Sequence, residues 1–207
     1  MREGSNSGGS AIRLAIFDLD GTITRPNLDF KRIKRAVGLD DPEVLLLDYI
    51  LSLPQERRRR AFEIVDSFEE EAARSAELRK GAAALLRRLR RRGIKVAIFT
   101  RNSRKSVRTV LDRFRLEVDA VISREDGPPK PEPDALVALL RRLGLRPCEA
   151  IMVGDFGIDV IAGRRAGIRT VLLDSGERAV EAEPDERIES LPQLLELIDR
   201  WQPDSRS

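Results

Sequence analysis

The chain has 207 residues, 41% of them hydrophobic and 35% charged, with 38 Lys and Arg against 35 Asp and Glu for a formal net charge of +3. That length and balance suit one full α/β core plus a small inserted unit, and exclude collagen, coiled-coil and fully disordered chains. There is no His and one cysteine, Cys148, which excludes Ser-His-Asp and Cys-His catalysis, most zinc sites and a disulfide framework within one chain, and fits a reducing cytoplasm.

Residues 1–10 are Gly/Ser-rich and polar, without an apolar signal-peptide core, and read as a flexible tail. Ile12 to Phe17 is a short apolar run that stops at Asp18, the pattern of a buried strand. Between about Pro26 and Leu78 only helical patterns occur. Phe30, Ile33 and Val37 make one apolar face ended by Gly38, and Ala61, Ile64, Val65, Phe68 and Ala72 make another. The run Arg57–Arg60 is followed by Glu69–Glu71, and Glu56/Arg60 and Arg59/Glu63 stand four apart. That pattern reads as a solvated helix rather than a nucleic-acid patch. Arg25, Lys31, Arg32 and Arg35 either contact a substrate carboxylate or form the polar face of the first of these helices.

Strand and helix then alternate. Leu85, Leu86 and Leu89 precede Gly93, and Lys95–Phe99 forms a second strand ending at Thr100. Val107, Val110, Leu111 and Phe114 make a helix, and Asp119–Ile122 a third strand. Leu136, Val137, Leu139, Leu140 and Leu143 make a helix ended by Gly144, and Ala150–Val153 a fourth strand ending at Gly154-Asp155. Ile158, Ile161 and Ala162 precede Gly167, Thr170–Leu173 is a fifth strand ending at Asp174, and Leu191, Leu194, Leu195 and Ile198 form a last helix. The expected fold is α/β, a Rossmann-like parallel sheet with helices on both faces and a small inserted α-helical unit. The core takes residues 11–25 and 79–202 and the insert 26–78. No run reaches the length of a membrane span.

In an open parallel sheet, ligands bind beyond the carboxyl ends of the strands. Asp18, Asp20, Thr22, Thr100, Arg101, Asn102, Lys130, Asp155 and Asp159 all follow strands toward that edge. Singly, each has an ordinary reading as a helix cap or a solvated loop residue. Together, in this chain order, they point to phosphoryl transfer. Converging carboxylates repel one another, a divalent ion removes that cost, and oxygen-only donors favour Mg²⁺ over softer metals.

The set Asp18-Leu19-Asp20-Gly21-Thr22, Thr100, Lys130 and Gly154-Asp155-Phe156-Gly157-Ile158-Asp159 resembles the four motifs of the haloacid dehalogenase-like superfamily, over about Ile12 to Leu173. The insert resembles the small helical cap of its phosphoglycolate phosphatase-like members. The resemblance implies a β-hairpin flap after the first strand, Asp18 as nucleophile forming an aspartyl-phosphate, and Asp20 as acid and then base. It implies Thr100 and Lys130 on the phosphate, and Mg²⁺ held by Asp18, the Asp20 carbonyl and Asp155, with Asp159 in support. Asn102 and Arg101 join the phosphate-binding set; Arg101 either meets a second anionic group of the substrate or points to solvent. Asp20 favours phosphate esters over halogenated acids. Phe156 departs from the small polar residue that many members carry there.

The expected activity is hydrolysis of a small phosphate monoester, phosphoglycolate-like or a sugar phosphate. A sugar phosphomutase and a non-catalytic binding protein on the same scaffold are the alternatives, and a phosphonate-cleaving role through Lys31 or Lys34 has less in its favour. The expected partner is a small phosphorylated metabolite, without nucleic acid or membrane, acting on a monomer or homodimer.

Overall fold

The structure, a computed structural model, describes residues 10–173 and 182–201. Of the expected tail at 1–10, residues 1–9 lie outside the described residues, as does the strand end at Asp174.

The first apolar run forms β1 (Leu14–Phe17). The insert follows as α1 (Phe30–Ala36), α2 (Leu46–Ser52) and α3 (Gln55–Ser75). The chain continues through α4 (Ala82–Arg91), β2 (Lys95–Phe99), α5 (Arg104–Phe114) and β3 (Ala120–Ile122). It ends with α6 (Asp134–Leu143), β4 (Ala150–Gly154), α7 (Gly157–Arg165), β5 (Arg169–Leu173), β6 (Glu186–Ile188) and α8 (Gln193–Trp201). Helix boundaries follow local chemistry. The Ser103 side chain accepts from the Ser106 amide to open α5, and Gly144, at φ 62°, closes α6 in the left-handed conformation a glycine adopts without strain.

All strand pairs are parallel, in the order β3-β2-β1-β4-β5-β6. The order reverses at β1: the chain builds outward to β3, crosses back to β4 and builds the other way. Such a reversal opens a crevice at the carboxyl ends of the two central strands. Register fixes what stands there. Phe17 lies opposite both Ile98 and Val153, so Asp18, Thr100 and the residues after Gly154 leave the sheet at nearly one height.

Side-chain alternation along the strands sorts the core into two layers. Ala15, Phe17, Val96, Ile98, Ile151 and Val153 pack against α4, α5 and α8. Leu14, Ile16, Ala97, Phe99, Ala150 and Met152 pack against α6 and α7. Both faces are covered, which is why these strands are apolar throughout.

The insert has its own apolar cluster of Ile33, Ile50, Leu53, Ala61 and Val65. Of the expected face on α3, Ala61 and Val65 are buried and Phe68 packs against their cluster, but the stripe continues through Glu69 and Ala73 rather than Ala72, with Glu69 held inward by partners on the core. The C-terminal end of α3 joins the core through Ala73 and Ala76. Two linkers cross antiparallel at the base of the insert: Arg25 N–H donates to Glu77 O and Arg79 N–H to Ile23 O, at 2.8 and 2.9 Å. With the Thr24–Leu78 bridge, this pairing stands where a flap hairpin was expected. The arginine run behaves as a solvated face, with Arg59 bridging Glu56 and Glu63. Among the described residues no helix is long and apolar enough to cross a membrane.

Candidate active site

Asp18 is the first residue beyond β1, and its amide donates to Val153 O at 2.9 Å. The chain then turns tightly, with Gly21 N–H donating to Thr24 O and both Ile23 and Thr24 amides donating to Leu19 O, each at 2.9 Å. Gly21 has φ 92° and lies so close to Asp155 that a Cβ would stand 2.2 Å from its Oδ2. Only glycine meets both conditions. Arg79 Nε donates to Gly21 O at 2.6 Å and Thr22 Oγ1 to Asp155 Oδ1 at 3.2 Å, so the turn is clamped to the start of the β4 loop. We expect Gly21→Ala to displace Asp155 and lower any activity of the site at least about tenfold, while thermal melting registers only about 1–2 kcal/mol of strain. Activity equal to the parent would contradict this packing.

Asp20 points into the same space. Its Oδ1 accepts from Thr24 Oγ1 at 3.0 Å, and its Oδ2 accepts from Asn102 Nδ2. Burial pushes its pKa up, against the hydrogen bond from Asn102, and the neighbouring Asp18 adds to the rise. That direction suits a carboxyl group that must carry a proton.

Lys130, 2% exposed, reaches in from the loop before α6. Its Nζ donates to Asp18 Oδ1 at 2.5 Å and to Asp159 Oδ1 at 2.6 Å. Burial alone would lower its pKa, but Asp159 and Asp18 outweigh that and raise it, so the ammonium stays charged. Asp159 lies in the first turn of α7, where its Oδ2 accepts from the Phe156 amide at 3.2 Å. Gly154 makes room for it, since a Cβ there would lie 2.2 Å from Asp159 Cγ. Burial pushes Asp159 up to about 7, against the pull of Lys130 and with the repulsion of Asp18.

Asp18, Asp155 and Asp159 each offer a carboxylate oxygen within 4.8 Å of the others. This donor set is all oxygen, and its three carboxylates outnumber the one buried ammonium, Lys130, that meets two of them. It therefore fits a hard divalent cation.

Thr100 is buried, and its Oγ1 accepts from the Asn102 amide at 3.2 Å. Arg101 lies beside them, with its guanidinium engaged by Asp48 of α2. Of the nine residues expected at this edge, Asp18, Asp20, Thr100, Arg101, Asn102, Lys130, Asp155 and Asp159 line one cavity of about 430 Å³ between the sheet edge and the insert, and the fully buried Thr22 does not. Arg25, Lys31, Arg32 and Arg35 do not line it: Arg25 lies 3.8 Å from Glu77, Arg32 stacks on Phe68, and Arg35 Nε donates to Lys31 O.

Sequence reasoning missed a buried strut at the cavity edge. Arg124, on the loop after β3, meets Glu69 at 2.6 Å and Asp66, both on α3. Glu69 also accepts from the Ser103 amide at 2.9 Å. These bonds tie the insert to the loops that follow β2 and β3.

The family model of haloacid dehalogenase-like hydrolases matches residues 12–167. An uncharacterized hydrolase of Saccharomyces cerevisiae is 34% identical over 205 residues, covering 94% of each chain. A phosphoglycolate phosphatase of Vibrio vulnificus is 30% identical over 219 residues, covering 90% of this chain and 96% of that relative. Among solved structures, a hydrolase from Pseudomonas syringae matches with a TM-score of 0.78 at 23% identity, covering 92% of this chain and 99% of that one.

Proposed function

From its place among the haloacid dehalogenase-like hydrolases, to which this chain belongs as a phosphatase, we propose that it hydrolyses a small phosphate monoester through an aspartyl-phosphate on Asp18, with Mg²⁺ as cofactor. The observation that carries this reading is the meeting of Asp18, Asp155 and Asp159 within 4.8 Å, with Lys130 on two of them and Asp20 held alongside.

Asp18 attacks phosphorus as the bond to the leaving oxygen breaks, and Asp20 gives that oxygen its proton. Asp20, now ionised, takes a proton from water as the water attacks the phosphoryl group, which releases inorganic phosphate and restores Asp18. Asn102 and Thr24 hold the Asp20 carboxyl in place through both steps. Lys130 holds the Asp18 carboxylate in place and offsets charge on the phosphoryl oxygens, which Thr100 and the adjoining backbone also receive. Asp18, Asp155 and the Asp20 carbonyl would hold Mg²⁺, with Asp159 in support. When bound, the ion would supply positive charge to offset that of the phosphoryl oxygens.

Residues 26–78 act as a cap that selects the substrate and excludes water, while the core supplies the chemistry. Phosphoglycolate, named for one relative, is one candidate substrate, and sugar phosphates are another class. A cytoplasmic location accords with the single cysteine, Cys148.

Release of p-nitrophenol from p-nitrophenyl phosphate tests the reading. Turnover should require Mg²⁺, stop with EDTA and return when Mg²⁺ is restored. Turnover unaffected by EDTA, or none with any divalent metal, would overturn it.

A further inference from the structure

One peptide unit beside the carboxylates is held at both of its polar ends. The carbonyl of Asn102 accepts from the Arg124 amide at 3.0 Å, and the N–H of the same peptide, that of Ser103, donates to Glu69 Oε2 at 2.9 Å. Glu69 Oε1 closes the circuit by accepting from the Arg124 guanidinium at 2.6 Å. Asp66 meets a second nitrogen of that guanidinium, whose central carbon lies 5.0 Å from the centre of the Phe62 ring. Phe62, Asp66 and Glu69 belong to α3 of the insert, whereas Asn102, Ser103 and Arg124 belong to the loops after β2 and β3.

The held peptide carries the Asn102 side chain, whose Nδ2 donates to Asp20 Oδ2. Because the peptide is planar, holding its carbonyl and its N–H fixes where that side chain starts. Two hydrogen bonds therefore lead from the insert to Asp20: Glu69 to the Ser103 amide, and Asn102 to the carboxyl. Glu69 is 4% exposed, and burial pushes its pKa up against the pull of Arg124. A buried ion pair does little for stability that apolar side chains of like volume would not do. What the carboxylate adds is direction, since it accepts from one amide and one guanidinium at geometries that an apolar contact does not impose.

We propose that Glu69 is a positioning residue for proton transfer: from the cap it holds the Asn102–Ser103 peptide and so keeps the Asn102 amide on Asp20, an inference that rests on the phosphatase reading above. The insert then contributes to the chemical step as well as to enclosing the substrate.

The test compares kcat/KM with Mg²⁺ for p-nitrophenyl phosphate and benzyl phosphate, two esters of similar size. A nitrophenolate departs without a proton far more readily than an alkoxide, so benzyl phosphate depends more on a well-placed acid. Glu69→Gln keeps the shape of the side chain and removes its charge. It should lower kcat/KM about tenfold or more for benzyl phosphate and about threefold or less for p-nitrophenyl phosphate. Equal falls for the two esters, or none, in the folded variant would overturn the inference and leave the phosphatase reading standing. Hydrolysis of neither ester by the parent enzyme would overturn both.

A double-mutant cycle tests the route. Asn102→Ala should bias the two esters in the same way, and adding Glu69→Gln to it should change their ratio no further. Effects on the ratio that multiply independently would contradict action through Asn102. Glu70→Gln breaks another ion pair between α3 and the core, to Lys105, and should keep the parent's ratio. A ratio shifted there as in Glu69→Gln would overturn the assignment to Glu69. If Glu69→Gln does not fold, Arg124→Lys carries the same test. It keeps a cation between the two carboxylates but loses the fork that meets each with its own nitrogen, and should show the same bias at about threefold. Equal falls for the two esters in that variant would overturn the inference as well.

Discussion

Asp18→Asn should lose hydrolysis of p-nitrophenyl phosphate by about 10⁴-fold or more while the protein stays folded, because removing a nucleophile removes the reaction path rather than tuning it. The substitution keeps the shape of the side chain and removes its charge. The amide from Asp18 to Val153 O is a backbone bond and survives. Lys130 keeps its 2.6 Å contact with Asp159, so the buried ammonium is not left alone. Circular dichroism and thermal melting should therefore show a native fold, with stability changed by about 1–2 kcal/mol at most. A folded Asp18→Asn enzyme with parental turnover would end the assignment of Asp18 as the attacking group.

Lys130→Met should be costly to both stability and activity. The lysine is 2% exposed and neutralises two carboxylates that have few other means of compensation at that depth. Removing one partner of a buried ionic cluster costs about 3–5 kcal/mol, since the charges left behind must stay buried or take up protons. For a chain of this size the melting temperature should fall by about 10 °C. Hydrolysis should fall by about 10³-fold, because Asp18 loses the ammonium that positions it and the phosphoryl oxygens lose a charge partner. Added Mg²⁺ should recover part of the melting temperature, by relieving the repulsion that the lysine had offset. A melting temperature equal to the parent's would contradict the view that Lys130 is the internal counterion of this cluster.

Much of the framework was legible because β1, β2, β4 and β5 are apolar runs that stop at a polar residue or glycine. A strand buried on both faces has no polar alternative, so each run announces both the strand and the point where it meets the crevice. Lys95–Phe99 has the bounds expected of it, and the polar residues that close the runs share one cavity because parallel register sets their heights.

The parts that were not legible depend on distant partners. Glu69 stands in an acidic run that resembles a solvated face, and its burial is set by Arg124, 55 positions away in the chain. Asp48 carries no local sign that it will meet Arg101, across 53 positions. β6 is a three-residue edge strand, Glu186-Arg187-Ile188, with one buried side chain, too short and too polar for a periodic signal. α2 was missed because Leu45-Leu46-Leu47 is a compact apolar run without the spacing of a one-sided helix.

The account is tested most directly by acid-quenching the enzyme during turnover of p-nitrophenyl phosphate with Mg²⁺ and mapping the phosphorylated peptide. We expect a hydroxylamine-sensitive phosphoryl group on the peptide containing Asp18, more abundant in Asp20→Asn, where its hydrolysis is slowed. Phosphorylation at another residue, or single-turnover hydrolysis that passes through no phosphoenzyme in either protein, would contradict the account.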